Sequence, residues 1–197
     1  MPLCGSCFGE IAARRANADS GADGFLAVGD YAGALKDMVL GLKGSQRRMA
    51  QPLSALMAVA AGNDPRYLFP RAICYVPSSR EKVKERGFNP AEILARRVAF
   101  ILGRPVVDAL RDPGGRQDQD RTPGSMRWRN VQGAFSVRRG IILEGPVLLV
   151  DDVLTTGATA DACSRALLSA GASSVCVLVA ARAVLRKTQL GSPLTLT

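Results

Sequence analysis

The residues best able to do chemistry stand in one run: Val147-Leu148-Leu149-Val150-Asp151-Asp152-Val153-Leu154-Thr155-Thr156-Gly157-Ala158-Thr159. An uninterrupted apolar stretch ends in two carboxylates, a turn of small and hydroxyl residues follows, and a helix begins. Such a stretch has the pattern of a strand buried on both faces of a parallel sheet. Open α/β sheets bind ligands just beyond the carboxyl ends of those strands. The turn's backbone N–H groups, with the helix N-terminus, form an anion site. Gly157 lets the backbone approach a phosphate, Thr155, Thr156 and Thr159 add hydroxyl donors, and Ala158 opens the helix. Carboxylates repel phosphate, so Asp151 and Asp152 need other work. They can accept hydrogen bonds from the vicinal hydroxyls of a ribose, or help to hold Mg²⁺ through water. Sugar, phosphate and metal together describe a sugar phosphate. The bland alternative is a buried strand that ends in Asp and is followed by a Thr-capped helix. No Gly-Lys-Ser/Thr is present, so a Walker phosphate loop does not fit.

Composition narrows the chemistry further. The chain has 197 residues, enough for one domain with a small appendage, and 47% are hydrophobic. There is no histidine, which removes a Ser-His-Asp triad, a Cys-His dyad and any His-liganded metal. Aromatics are 5% of residues, which argues against a base-stacking platform for single strands. The net charge is +9, and residues 71–139 hold 15 basic and 7 acidic side chains, nearly all of the excess. A basic loop region suits a polyphosphate or a nucleic-acid backbone, and charge alone does not separate them. The five cysteines are odd in number and three lie in apolar surroundings, as free thiols of a reducing cytosol do. No apolar run approaches the ~20 residues of a membrane span, and no basic-then-apolar signal opens the chain. The expectation is a cytoplasmic protein with no membrane contact.

The elements that must position this run follow from periodicity. Residues 1–29 read as an irregular N-terminal appendage, 30–185 as the main domain and 186–197 as a tail. Asp30 is expected to cap a helix over Tyr31–Lys43, and a second helix is expected over Arg47–Ala61. Ala72–Val76 reads as a short strand ended by Pro77. Asn89-Pro90-Ala91-Glu92 is a strong helix start, and Gly103 a stop. Strands are expected over Pro105–Leu110, Gly133–Val137 and Val175–Val179, and a helix over Ala158–Ala170. Residues 111–130, with several Pro, Gly and Arg residues, form a loop long enough to be a functional lid. Strand, helix, strand from 146 to 180 is a βαβ unit, and the whole order suggests an α/β fold with a central parallel sheet flanked by helices.

The thirteen-residue run resembles the phosphoribosyl-pyrophosphate (PRPP) signature of type I phosphoribosyltransferases. More of the chain resembles one branch, the ComF family of competence-related proteins. The matching pieces are Tyr31-Ala-Gly-Ala-Leu35 with Leu42-Lys43-Gly44, Val76-Pro77, Arg86-Gly87-Phe88-Asn89, Gln119, Arg127, Asn130-Val131 and Gly133-Ala134-Phe135. The resemblance implies a type I phosphoribosyltransferase-like fold. It implies that Asp151 and Asp152 contact the ribose and, indirectly, Mg²⁺, and that Thr155, Thr156, Gly157, Ala158 and Thr159 hold the 5′-phosphate. It implies that Val76, Pro77, Ser78 and Ser79 approach pyrophosphate. Arg80, Lys82, Lys84 and Arg86 lie just beyond, and their alternation would place them on one side of an extended segment. A solvated face is the alternative for these cations, and a purely architectural role the alternative for Phe88 and Asn89. The loop 111–130, which includes Gln119, looks like the flexible lid of this fold, and its closure would bring Arg116, Arg121 or Arg127 to the phosphates.

Cys4-Gly-Ser-Cys7 has metal-type spacing, but tetrahedral zinc needs four ligands. A four-cysteine ribbon often precedes the domain in the family, so this pair looks like its second half. Either the start lacks the first pair or the site has decayed, and zinc is not expected. The resemblance leaves three functions open: Mg²⁺-dependent transfer of phosphoribosyl from PRPP to an unidentified acceptor, a competence or DNA-uptake role with single-stranded DNA or a helicase as partner, and a phosphosugar sensor without catalysis. Oligomeric state stays open, with a homodimer among the alternatives.

Overall fold

The computed structural model describes residues 14–16 (backbone only), 22–112 and 135–183. Cys4, Cys7, the lid residues Arg116, Gln119, Arg121 and Arg127, and the tail 186–197 lie outside the described residues.

Along the chain, β1 (Arg14–Ala16) and β2 (Gly24–Asp30) precede α1 (Gly33–Lys43). A single 3₁₀ turn, Arg47–Met49, leads into α2 (Ala50–Gly62), and the short α3 (Pro65–Leu68) follows. Next come β3 (Ala72–Tyr75), α4 (Arg80–Arg86) and α5 (Pro90–Leu102). Two short strands, β4 (Leu110–Arg111) and β5 (Ser136–Val137), pair antiparallel as a separate ribbon. The chain then forms β6 (Gly145–Leu154), α6 (Ala158–Ser169) and β7 (Ala172–Arg182).

The main sheet has the order β1-β2-β7-β6-β3. Of its four pairings, the three among β2, β7, β6 and β3 are parallel, and the β1 edge runs antiparallel to β2. Strands buried on both sides alternate their side chains between two cores. Leu148 and Val150 join Ile73, Tyr75, Leu178 and Leu26 against α1, α2 and α5. Val147 and Leu149 join Cys74, Val175, Val177 and Phe25 against α6. The expected central parallel sheet flanked by helices is the architecture observed. All three described cysteines, Cys74, Cys163 and Cys176, are buried and stand outside any disulfide.

Four local expectations are corrected. Residues 24–29 are not part of an irregular appendage: they belong to β2, an almost wholly buried strand in parallel register with Gly24 opposite Cys176 and Leu26 opposite Leu178. Asp30 does not cap α1. It ends β2, and Ala32 stands at the helix N-cap without a side-chain hydrogen bond. Of the strand expected over Pro105–Leu110, only a single bridge from Val106 to Ile73 and the start of β4 form. The fourth correction, the helical form of residues 80–86, bears on the site.

Candidate functional site

The carboxyl ends of β3 and β6 open into a cavity of about 500 Å³. Several elements meet there. From β6 come Asp151 and Asp152, with Thr159 from the first turn of α6. From the segment after β3 come Val76, Pro77, Ser78 and Ser79, then Glu81, Lys82 and Arg86 of α4. From other parts of the chain come Lys43 at the end of α1, Asn89 at the start of α5, Asp112 and Phe135.

The acidic pair is held from two directions. The backbone N–H of Asp152 donates to Asp151 Oδ1 at 2.8 Å. Lys43 Nζ stands 3.1 Å from Asp152 Oδ1, with the two side chains 29% and 13% exposed. Burial, and secondly the neighbouring Asp152 carboxylate, push the Asp151 carboxyl up to about 8, against the opposing pull of that N–H and of Lys43. Each carboxylate keeps acceptor capacity beyond its one internal donor.

The threonine turn is shaped by Gly157, whose φ of 80° places it in the left-handed region at the N-cap of α6. A Cβ there would meet nothing closer than 3.9 Å, so backbone conformation, not crowding, requires glycine. Thr156 Oγ1 accepts from Ala158 N–H at 3.4 Å. Asp161 N–H returns to Gly157 O at 2.8 Å. Thr159 lines the cavity; Thr155, Thr156, Gly157 and Ala158 are not part of its lining.

Residues 80–86 are not an extended segment. Ser79 caps a helix, its hydroxyl accepting from Lys82 N–H at 3.4 Å, and Gly87 ends it at φ 75°. The helix divides the four cations. In a strand, positions 80, 82, 84 and 86 share a side, but at 100° per residue positions two apart diverge by 200°. Lys82 and Arg86, one turn apart, face the cavity, whereas Arg80 and Lys84 are exposed and outside its lining.

Phe88 packs partly buried against the core, with Arg47 stacked 4.5 Å over its ring. Asn89 is both architecture and site wall. Its Oδ1 accepts from Ala91 N–H at 3.0 Å and from the Ser78 hydroxyl at 2.9 Å, and its Nδ2 donates to Val76 O at 2.9 Å. It thereby ties the start of α5 to the turn after β3.

Lys43, Glu81, Asp112 and Phe135 also line the cavity, and none of them was among the expected site residues, although Phe135 stood in a matching piece of the family resemblance. Lys43 belonged to a matching piece of the family resemblance, but nothing in its local sequence points across the fold to Asp152. A second cavity of about 460 Å³ shares Pro77, Ser78 and Asn89 with the first and extends to Tyr75, Arg47 and Asp108. Burial, together with a hydrogen bond to Asp108, raises the Tyr75 hydroxyl above its ordinary range. Among the described residues, no group of three or more His, Cys, Asp or Glu side chains is placed to hold a metal, and no helix is long and apolar enough to cross a membrane.

No family model matches the chain. Among solved structures, the chain is similar to adenine phosphoribosyltransferase from Leishmania tarentolae, at 16% identity over 82% of this chain and 78% of that one, with a TM-score of 0.46. It is also similar to glutamine PRPP amidotransferase from B. subtilis, at 23% identity and a TM-score of 0.43, covering 66% of this chain and 26% of that one. Relatives by sequence carry the name DNA utilization protein YhgH. The one from Salmonella typhimurium strain LT2 is 29% identical over 159 residues, 76% of this chain and 68% of the relative. The one from Escherichia coli O6:H1 strain CFT073 is 30% identical over 154 residues, 75% of this chain and 67% of the relative. With that identity over that share of both proteins, the chain belongs to the family of the DNA utilization protein YhgH.

Proposed function

We propose that this protein is a ComF-type, phosphoribosyltransferase-like protein that binds PRPP or a related ribose phosphate together with Mg²⁺. One observation carries the reading: the acidic pair, Thr159, and Lys82 and Arg86 of α4 line a single cavity at the strand ends. Asp151 and Asp152 would accept hydrogen bonds from the ribose hydroxyls. The turn Thr155–Thr159 would receive the 5′-phosphate on its amides and hydroxyls. Ser78, Ser79, Lys82 and Arg86 would receive the diphosphate, whose charge calls for cations at hydrogen-bond range.

The donor set fits Mg²⁺ in a particular way. Two adjacent carboxylates supply oxygen ligands of the right hardness, but too few for a protein-only cage; Mg²⁺ is commonly held by one or two carboxylates plus waters and substrate phosphates. Asp151 and Asp152 would be the groups that hold it, and the ion would neutralise charge on a departing diphosphate. If transfer occurs, a carboxylate beside the ribose would stabilise positive charge developing at C1.

Titration calorimetry with PRPP and Mg²⁺ tests the reading. Binding at millimolar affinity or tighter is expected, and its loss in the double variant Asp151→Asn, Asp152→Asn. Equal binding by variant and parent would sink it.

A second reading, a nucleic-acid-associated role in DNA uptake, is favoured by the relatives' name and by the basic excess in residues 71–139. Single-stranded DNA should then bind at low salt and be released steeply as salt rises, with a slope of roughly −0.7 per phosphate neutralised. Absence of binding at low salt would remove it.

A further inference from the structure

Lys43 is the last residue of α1, followed by Gly44 at the C-cap. The carbonyl end of a helix favours a cation there. Its ammonium is 3.1 Å from Asp152 Oδ1, and the pair is largely shielded from water, with exposures of 29% and 13%. That shielding keeps the field of the ammonium from being screened as it would be on an open surface. Asp151 is held separately, by Asp152 N–H. Both side chains therefore stay in place with lone pairs to spare, and a fixed positive charge touches the Asp152 carboxylate.

This charge acts with opposite sign on two kinds of visitor. A bare divalent cation approaching the carboxylates meets a like charge at contact distance. A divalent cation already complexed to a diphosphate carries net negative charge, so the same ammonium attracts it.

We propose that Lys43 is a specificity-determining residue of the acidic pair, which suppresses binding of the free divalent cation and favours its complex with a phosphorylated sugar. The inference rests on the sugar-phosphate reading of this cavity, but it concerns the order in which metal and sugar phosphate arrive.

The test uses Mn²⁺ alone, titrated into the full chain and followed by the electron paramagnetic resonance signal of the free ion. Lys43→Met is expected to bind Mn²⁺ at least roughly tenfold more tightly than the parent, as removal of a shielded like charge requires. Lys43→Arg should bind as the parent does. The gain should vanish when Asp151→Asn and Asp152→Asn are added to Lys43→Met. Thermal melts without metal establish that each variant is folded, and Lys43→Gln serves as a second neutral variant. The proposal is overturned if both neutral variants bind Mn²⁺ no more tightly than the parent, or if the gain survives loss of both carboxylates. If the parent fails to bind PRPP while the Mn²⁺ gain appears, the sugar-phosphate reading falls and the control of the cation by Lys43 stands.

Discussion

Asp151 follows the apolar run inside β6 and stands beside a second carboxylate, and both facts act on its proton. Its carboxyl is raised to about 8 in the folded chain, against about 3.9 unfolded. Between these values the native state keeps a proton that the unfolded chain releases, so stability falls as pH rises through that window and the full penalty is present above it. Asp151→Asn removes the ionisation while its side-chain oxygen can still accept from Asp152 N–H. The variant should therefore melt higher than the parent at about pH 9, with a smaller difference at about pH 5. Thermal melts across that range check this, and a difference that does not change with pH would contradict it. The acidic pair was legible in sequence because an apolar run ended in two carboxylates in a chain without histidine. Lys43 was not: its contact with Asp152 depends on where α1 docks, and no local pattern encodes that.

At the scale of elements, α4 and α5 decide which residues reach the cavity. Because residues 80–86 are helical, Lys82 and Arg86 share the inward face. Lys82→Ala and Arg86→Ala should each weaken PRPP binding several-fold, more than Arg80→Ala or Lys84→Ala. Calorimetry on the four variants checks this, and equal losses would favour a diffuse field over a lined site. Asn89 makes a cap and two further hydrogen bonds from a buried position. Asn89→Ala should cost about 1–3 kcal/mol, read by urea unfolding. Asn89→Asp keeps the cap but turns the donor facing Val76 O into an acceptor, and should not restore the loss. The start of α5 was legible because Asn, Pro and Glu satisfy its first turn in order. The form of residues 80–86 was not legible, because alternating charge resembles a strand face; Ser79 and Gly87, which cap the helix, are the local signal for it.

Across the whole molecule, the sheet is sandwiched, and successive residues of β6 serve different cores. Leu148 packs with α1, α2 and α5, Leu149 with α6, and both are fully buried. Leu148→Ala and Leu149→Ala should each cost about 2–5 kcal/mol, measured by urea unfolding; a cost below about 1 kcal/mol at either would mean that its side of the sheet is loosely packed. The parallel core was legible from two continuous apolar runs around a helix. The place of β2 was not, because Gly-Phe-Leu-Ala-Val-Gly-Asp is short and bracketed by glycine. It becomes a strand through tertiary pairing with β7 rather than through propensity.

The central claim is that the cavity at the ends of β3 and β6 receives a phosphorylated pentose. A crystal structure of the protein soaked with PRPP and Mg²⁺ tests it most directly. The expected result is a ribose against Asp151 and Asp152, a 5′-phosphate on the turn 155–159, and diphosphate beside Ser78, Lys82 and Arg86. Ligand density elsewhere, or a cavity left empty at saturating PRPP, would contradict the account.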